Sequence, residues 1–483
     1  MDREELERWE GRLEEFLGEL TAGMGRLERR YWAEVYVKGL LLDGQRKSVE
    51  PLAVRVLGAQ PHSPQVQGLQ QFVSQSPWAA EELLQRIAQR WQRATTVKRH
   101  RLWIIDETGL PKAGEHSAGV AWQYCGALGK LANCQVAVSL NVSLEDGSAS
   151  QPLAWRLYLP EQWVDDPLRR QQAGVPEAIG YQTKPELALA LIDQALAWGL
   201  TRPRAILCDE VYGGGFQWRS ALRERKLGYA VQVGSDSGAW LEPPSFVLPA
   251  PKRKGGRQPK RYQLVSARPE SLEAIARNLP QQSWQEVCWR KGSRGPLCSR
   301  FARVTVWASH DWQRCCKPEY VAETLLVEWP SQEPSPTKYW ILWTPQQRQQ
   351  PDQEQSPAEG SLCKQVARAK GRWRIEQDYR ELKDELGLDH FEGRSFSGWH
   401  HHAALCTLAF AFLREAQNHL AQDAPVPERP RDKSARSGAK KKSAPSRRSS
   451  NPATHPPDPA GQPDSALRPV PLVQNTLRRL VLT

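Results

Sequence analysis

The sequence lacks any apolar run of the roughly 20 residues that a transmembrane helix needs, so no membrane-spanning segment is predicted. The first residues, 1–16, are acidic and amphipathic, unlike the basic and then apolar start of a secretory signal. Nine cysteines are scattered without a C-x-x-C pair, and no histidine pair has zinc-finger spacing. The sequence therefore predicts no structural zinc site, and its odd cysteine count favours a reducing cytoplasm.

Positive charge is concentrated in one segment near the C-terminus. The whole chain of 483 residues has a formal net charge of +12. Residues 428–448 carry nine Lys or Arg against two acids, which is more than half of that excess. A basic tail indicates a polyanionic partner, usually nucleic acid, with Lys440, Lys441 and Lys442 as candidate DNA contacts. The alternative is a tail that merely increases solvation.

Hydrophobic residues make up 40% of the chain, enough for two or three folded domains. In the first of these, residues 1–98, apolar residues recur at spacings of three and four and predict helices. This helical N-terminal domain either binds DNA or serves packing and dimerisation, and the sequence does not separate the two. At the other end, the Pro- and Ser-rich residues 423–483 predict a disordered basic tail.

The pattern changes near residue 100 to short apolar strands that alternate with helices. The predicted order is three strands, a helix, a strand, a helix and a strand, which is typical of a mixed α/β sheet. We divide this part of the chain into three segments. They are the first part of a catalytic core at 99–239, a β-rich insertion at 240–365, and a pair of core helices at 366–422.

Two aspartates occupy equivalent places in this pattern. Asp106 follows the apolar segment Leu-Trp-Ile-Ile, and Asp209 follows Ala-Ile-Leu-Cys. Carboxylates at strand ends are costly to bury alone, and a hard divalent cation is one partner that stabilises them. The alternative is that each aspartate only caps the helix or turn that follows. Glu107 and Glu210 are less favoured as ligands because neighbouring residues on an extended chain point apart.

A third acid lies on a predicted helix that covers 364–386. Arg372, Glu376 and Lys383 fall within about 40° of one another at about 100° per residue, so they share one helical stripe. This stripe places an acid between two basic residues on one face of the helix. The alternative is an ordinary surface ion pair between residues four apart.

The segment 372–405, RWRIEQDYRELKDELGLDHFEGRSFSGWHHHAAL, resembles the C-terminal signature of bacterial insertion-sequence transposases of the DD-E type. The signature is Tyr-x2-Arg-x3-Glu-x6-Lys, and Arg372, Glu376 and Lys383 match it. Ala369 stands at the Tyr position, which leaves Trp373 or Tyr379 as replacements for a phosphate contact. The resemblance spans roughly residues 30–415 and includes five further segments: 36–53, 103–140, 157–163, 183–191 and 208–233.

The resemblance implies a ribonuclease-H-like core of the group that has a β-rich insertion before the catalytic Glu. It implies that Asp106, Asp209 and Glu376 are catalytic and bind two Mg²⁺ ions, with Mn²⁺ as a substitute. Arg372, Lys383 and Trp373 would contact DNA. A metal shared by His400, His401 and His402 is not expected, because consecutive residues fan around a helix; His401 or His402 near DNA is a further hypothesis.

The function that the resemblance implies is DNA transposition, by metal-dependent cleavage at element ends and transfer of the 3′-hydroxyl into target DNA. The expected partners are double-stranded DNA, as terminal inverted repeats and target, and a second copy of the chain. The expected location is the cytoplasm, at the bacterial nucleoid, without a membrane. The alternatives are a ribonuclease H or junction resolvase on the same core, and a decayed or domesticated element that binds DNA without cutting it.

Overall fold

The computed structural model describes most of the chain that precedes the basic tail. Beyond Asp423, the tail with Lys440, Lys441 and Lys442 lies outside the described residues, and so does its predicted disorder. The described ranges are 3–95, 101–250, 260–292, 295–310, 320–345 and 361–423.

The described part of the N-terminal segment is helical, as predicted. The apolar stripe of its first helix, which includes Leu13, Phe16 and Leu20, is buried in the core. The second, fourth and fifth helices pack against the long helix α14, described below, so the segment joins the main core. The helices are α1 (Arg3–Leu20), α2 (Leu27–Leu41), α3 (Val49–Leu57), α4 (Pro64–Ser74) and α5 (Ala80–Ala94).

A mixed sheet with helices forms the centre of the protein. Strand β1 pairs antiparallel with β3 and parallel with β5, and β5 pairs parallel with β6. The order β4-β3-β1-β5-β6 is that of a ribonuclease-H-like core, which confirms the predicted fold class. The strands are β1 (Arg101–Pro111), β2 (Ala121–Cys125), β3 (Lys130–Leu144), β4 (Ser150–Leu157), β5 (Ala205–Cys208) and β6 (Tyr229–Val233).

Three of the helices that connect these strands begin at a side chain that caps the helix. Thr183 and Glu186 form a reciprocal capping box at the start of α8, which satisfies two otherwise free backbone N–H groups. The helices are α6 (Glu161–Val164), α7 (Pro167–Gln172), α8 (Lys184–Ala197), α9 (Glu210–Gly213) and α10 (Phe216–Glu224).

Strand β1 is longer than the sequence predicts, and this changes the position of Asp106. Its parallel pairing with β5 ends at Ile104, whereas its antiparallel pairing with β3 continues to Pro111. Asp106 therefore lies inside β1 rather than after it, at the point where β5 has ended and α9 begins. Hydrogen bonds to β3 keep the chain extended here. The local pattern of apolar residues does not predict pairing with another strand.

The β-rich insertion continues the central sheet. Its last strand, β14, pairs antiparallel with β6, and β13 and β12 follow in order. Cys288 and Cys298 form a disulfide across β11 and β12, which the scattered cysteines did not predict. The strands are β7 (Gly238–Trp240), β8 (Phe246–Val247), β9 (Gln263–Leu264), β10 (Glu270–Ser271), β11 (Gln285–Gly292), β12 (Gly295–Ala308), β13 (Ala322–Glu328) and β14 (Lys338–Trp343), with helix α11 (Leu272–Arg277) after β10.

Three helices follow the insertion, and the first two replace the single helix predicted at 364–386. The chain bends at Gly371, where an added Cβ would lie 2.9 Å from Leu102 Cδ1 on β1. Glycine therefore lets the bend approach the sheet closely. None of the described helices is long and apolar enough to cross a bilayer. The helices are α12 (Leu362–Lys370), α13 (Trp373–Asp384) and α14 (Phe396–Asp423).

The histidine trio on α14 belongs to the core, so His401 and His402 are not exposed for contact with DNA. His401 stacks on Trp78 with ring centroids 3.9 Å apart, and its two ring nitrogens lie 2.8 Å from backbone carbonyl oxygens. His402 is fully buried, with Nδ1 2.8 Å from the Tyr36 hydroxyl. Burial lowers the pKa of His402 to about 3, so the ring is neutral.

Candidate active site

Asp106 is a nearly buried carboxylate on β1. Its Oδ1 accepts the backbone N–H of Glu107 at 2.9 Å, and its Oδ2 lies 2.5 Å from Nη1 of Arg372. Burial raises the pKa of Asp106 to about 7; the charge of Arg372 opposes this shift, and the charge of Asp209 adds to it. A nearby cation stabilises the charged form of such a buried carboxylate and offsets the cost of its burial.

Asp209 lies directly after β5 and caps helix α9. Its Oδ1 accepts the backbone N–H of Val211 at 3.1 Å, so the capping role considered from the sequence is present. A carboxylate has about four lone-pair positions, so capping α9 leaves Asp209 with positions for a cation or another donor. The charge of Asp209 acts on Asp106 and on Arg372, so these three groups share one electrostatic environment.

Arg372 connects the acid on β1 with the acid on α13. Besides its contact with Asp106, its Nη2 lies 3.2 Å from Oε1 of Glu376. The side chain of Glu376 is 61% exposed, so it reaches the surface of the site. Burial opposes the charge on Arg372, yet the charges of Asp106, Asp209 and Glu376 together raise its pKa. The guanidinium therefore forms ion pairs with Asp106 and Glu376, and the charge of Asp209 also stabilises it.

Lys383, the last residue of the predicted stripe, points back to β1. Its Nζ donates to the backbone carbonyl oxygen of Gly109 at 3.0 Å. Burial lowers the pKa of Lys383. The stripe thus follows β1 from Asp106 to Gly109, with Arg372 at one end and Lys383 at the other.

Trp373 and Tyr379, the two candidates to replace the missing tyrosine, differ in their exposure. Ala369 is buried, and the Tyr379 hydroxyl is buried 2.7 Å from Ser139 Oγ, so Tyr379 cannot contact a phosphate where it lies. Trp373 is partly exposed at the start of α13, and the guanidinium of Arg290 lies 3.8 Å from its ring centroid. Of the two aromatic side chains, Trp373 is therefore the one that is partly at the surface, beside Arg290 of the insertion.

The insertion also anchors the helix that leads into the site. Lys370, the last residue of α12, has its Nζ 2.5 Å from Glu328 Oε2 on β13. The same Nζ lies 4.5 Å from the ring centroid of Trp289 and 5.2 Å from that of Trp340. Charge and cation–π contacts therefore fix α12 on the insertion sheet, two residues before Arg372.

The donors at this site fit a hard divalent cation. The three acids offer only carboxylate oxygens, which Mg²⁺ prefers, and the Arg372 guanidinium already places positive charge between two of them. In the described ranges, no three His, Cys, Asp or Glu side chains are close enough to share one ion. Binding of a divalent cation here requires that these side chains move closer together and that Arg372 leave the carboxylates.

Glu107 and Glu210, which follow the two aspartates in the chain, have side chains with other partners. Glu107 Oε1 accepts from Lys184 Nζ at 2.8 Å, and Glu210 lies against the backbone of Gly234. Neither Lys184 nor Arg290 was predicted from the sequence to belong to the site. For Lys184, its place after a capping threonine, in a segment that resembles the transposases, could have indicated a position near the site. For Arg290, no local sequence pattern gave such an indication.

Comparison with known proteins gives the class of this chain. A family model described as DDE superfamily endonuclease matches residues 19–296, more than half of the chain. The chain therefore belongs to the DDE superfamily endonucleases. Asp106 and Asp209 lie inside the matched region, and Glu376 lies beyond it.

A curated relative is described as "Probable transposase for insertion sequence element IS701" from Microchaete diplosiphon. It is 33% identical to this chain over 203 residues, which are 41% of the chain and 47% of the relative. The match thus spans about half the length of the relative.

Proposed function

We propose that this protein is the transposase of an insertion sequence, which cuts DNA at the element ends and transfers the resulting 3′-hydroxyl into target DNA. The observation that carries the proposal is the set of Asp106, Asp209 and Glu376 around the charge of Arg372, next to the part of β1 that extends beyond its pairing with β5. The name of the curated relative points the same way.

In the proposed mechanism, Asp106, Asp209 and Glu376 would hold two Mg²⁺ ions, for which Mn²⁺ would substitute. Such ions would supply Lewis-acid activation of water or of a DNA 3′-hydroxyl for in-line attack on phosphorus, and positive charge for the leaving oxygen. Arg372, displaced from the carboxylates, binds the phosphate next to the scissile bond through its forked N–H groups. Lys383 and Trp373 hold the flanking DNA.

The proposed partners are double-stranded DNA, as terminal inverted repeats and target, and a second copy of the chain in a complex that joins two ends. The helical segment 1–98 is proposed to bind DNA or to pair the two copies. The divisions at 98, 239, 365 and 422 stay predictions. The proposed location is the bacterial cytoplasm, at the nucleoid.

The test uses labelled DNA that carries the ends of the element encoding this chain, with purified full-length protein. We expect cleavage at the ends in Mg²⁺ or Mn²⁺ and none in EDTA, and the freed 3′-end should join to a plasmid target. Tight binding to the ends without cleavage in either metal would instead support a decayed, DNA-binding element. Cleavage that persists in EDTA would contradict the metal-dependent mechanism.

Removal of residues 428–448 should weaken non-specific DNA binding and reduce its salt dependence. Each phosphate contact contributes about 0.9 to the slope of log K against log salt, and this segment carries nine Lys or Arg. The measurement is a salt titration of binding to random-sequence duplex. Replacement of Lys440, Lys441 and Lys442 by Gln should have part of the effect. An unchanged slope in the deletion would mean that the tail does not touch DNA.

A further inference from the structure

The pairing of strands β11 and β12 in the insertion contains a bulge at Trp289. Cys288 lies opposite Cys298, whereas Arg290 already lies opposite Leu297, so Trp289 is the extra residue in the ladder. A bulge changes the direction of the side chains around it, and bulges are common beside active sites. Arg290, the residue that follows this bulge, is the point at which β11 contacts the first residue of α13.

Arg290 stacks on the ring of Trp373, which directly follows Arg372 in the chain. The central carbon of its guanidinium lies 3.8 Å from the ring centroid. The ring also lies against the turn between β3 and β4, where an added Cβ on Gly147 would be 3.4 Å from it. Stacking fixes the plane of a guanidinium but leaves the N–H groups, which lie in that plane, available to an acceptor.

Within the part of the chain that the structure describes, the protein supplies no acceptor for Arg290. Its Nε is buried and has no hydrogen-bond partner there. No ion pair joins its guanidinium to a carboxylate of the same described ranges, and its contact is the ring of Trp373. A buried donor without a partner is costly, so a native protein usually gives it one, from its own chain or from a bound molecule.

The charged groups around this ring are already paired with one another. Arg374 lies 5.9 Å from the Trp373 ring centroid, and its Nε lies 3.4 Å from Asp378 Oδ1. Glu145, in the turn beside the ring, forms an ion pair with Arg368 at 2.9 Å. Neither acid is therefore available to the arginine of the insertion, and an anion that matches it has to come from a bound partner.

We propose that Arg290 binds a phosphate of the DNA strand held at the active site, so that the β-rich insertion contributes a DNA contact beside Arg372. A guanidinium donates two parallel hydrogen bonds to one phosphate, and the stack on Trp373 would hold it in the orientation for doing so. Such a contact positions the strand without selecting a base sequence. The inference rests on the proposed function for the identity of the phosphate ligand as DNA.

The first test measures the affinity of the full-length protein for labelled element-end duplex in EDTA, so that cleavage does not interfere. Arg290→Gln should weaken binding by about tenfold and lower the slope of log K against log salt by about 0.9. Arg300→Gln is the matched control. Arg300 lies 5.5 Å from the ring centroid of Trp329, also in the insertion, but its Nε already donates to the Trp329 carbonyl oxygen at 3.2 Å. The control should bind like the wild type, and the same affinity and slope for Arg290→Gln would overturn the proposal.

The second test separates a phosphate contact from an effect on the fold. Single phosphates near the cleavage position are replaced in turn by neutral methylphosphonates. At one position the replacement should weaken binding to the wild type by about tenfold and leave binding to Arg290→Gln unchanged, because both changes remove the same contact. Additive losses at every position would mean that Arg290 acts through the structure of the protein, and would contradict the proposal.

Cleavage is measured separately, so the two proposals can fail independently. A wild-type protein that binds the ends without cutting them in Mg²⁺ or Mn²⁺ would overturn the proposed function, while the methylphosphonate series would still decide on Arg290. If the wild type shows no preference for the ends, the same comparison of Arg290→Gln with Arg300→Gln on random-sequence duplex decides. Equal binding by these two variants would then overturn the phosphate contact.

Discussion

Glu376→Gln protein is expected to lose DNA cleavage by about a thousandfold or more and to keep its affinity for the element ends. Loss of one carboxylate ligand removes several kcal/mol of transition-state stabilisation, and about 1.4 kcal/mol corresponds to a factor of ten. The side chain of Glu376 is mostly exposed and contacts only Arg372 among the described residues, so the fold should tolerate the change. Binding should persist because the change removes a negative charge near DNA.

Asp384→Asn is the matched control for this experiment. Asp384 is an exposed acid on the same helix, away from the Arg372 contacts. Cleavage by the control should match the wild type, and both variants should bind the ends equally in a gel-shift titration. Undiminished cleavage by pure Glu376→Gln protein would remove Glu376 from the site.

Asp378→Ala is expected to destabilise the fold by about 3 kcal/mol, the usual cost of breaking a buried ion pair. Asp378 is fully buried, and its Oδ1 lies 2.7 Å from Ser150 Oγ, 3.2 Å from Arg414 and 3.4 Å from Arg374. These contacts join α13 to β4 and α14. Without the carboxylate, two largely buried guanidinium groups lose their shared partner, although Arg414 keeps an ion pair with Glu381 at 2.8 Å.

The measurement is the urea midpoint of Asp378→Ala beside Asp384→Ala, which changes an exposed acid of the same helix. The control should remain within about 0.5 kcal/mol of the wild type. Asp378→Asn should fall between the two, because the amide oxygen still accepts hydrogen bonds. Equal midpoints for Asp378→Ala and its control would show that the buried cluster does not hold α13 in place.

Local sequence patterns predicted the elements that carry the candidate site but not all of their limits. The apolar segment before Asp209 did end at that residue, because α9 begins there. Asp106 was placed after a strand that in fact continues to Pro111, because β3 pairs with it throughout. Strand β4 was not predicted, although its pairing with β3 completes the core.

The contacts between distant segments could not be read from spacing. The stripe of Arg372, Glu376 and Lys383 predicted a shared face, but not that Arg372 would reach Asp106, 266 residues earlier. Nor did the β-rich composition of the insertion indicate that β14 would extend the sheet at β6. Local periodicity describes each element alone, whereas these contacts depend on how elements far apart in the chain pack.

The most direct test of the site is cleavage of labelled element ends by Asp209→Ala beside the wild type, in Mg²⁺ and in Mn²⁺. Among the described residues, the hydrogen bond of the Asp209 side chain is the cap contact to the Val211 N–H, so its loss should cost about 1 kcal/mol of stability. We expect Asp209→Ala to bind the ends, to retain its fold and to cut in neither metal. Cleavage at the wild-type rate by this variant would contradict this expectation.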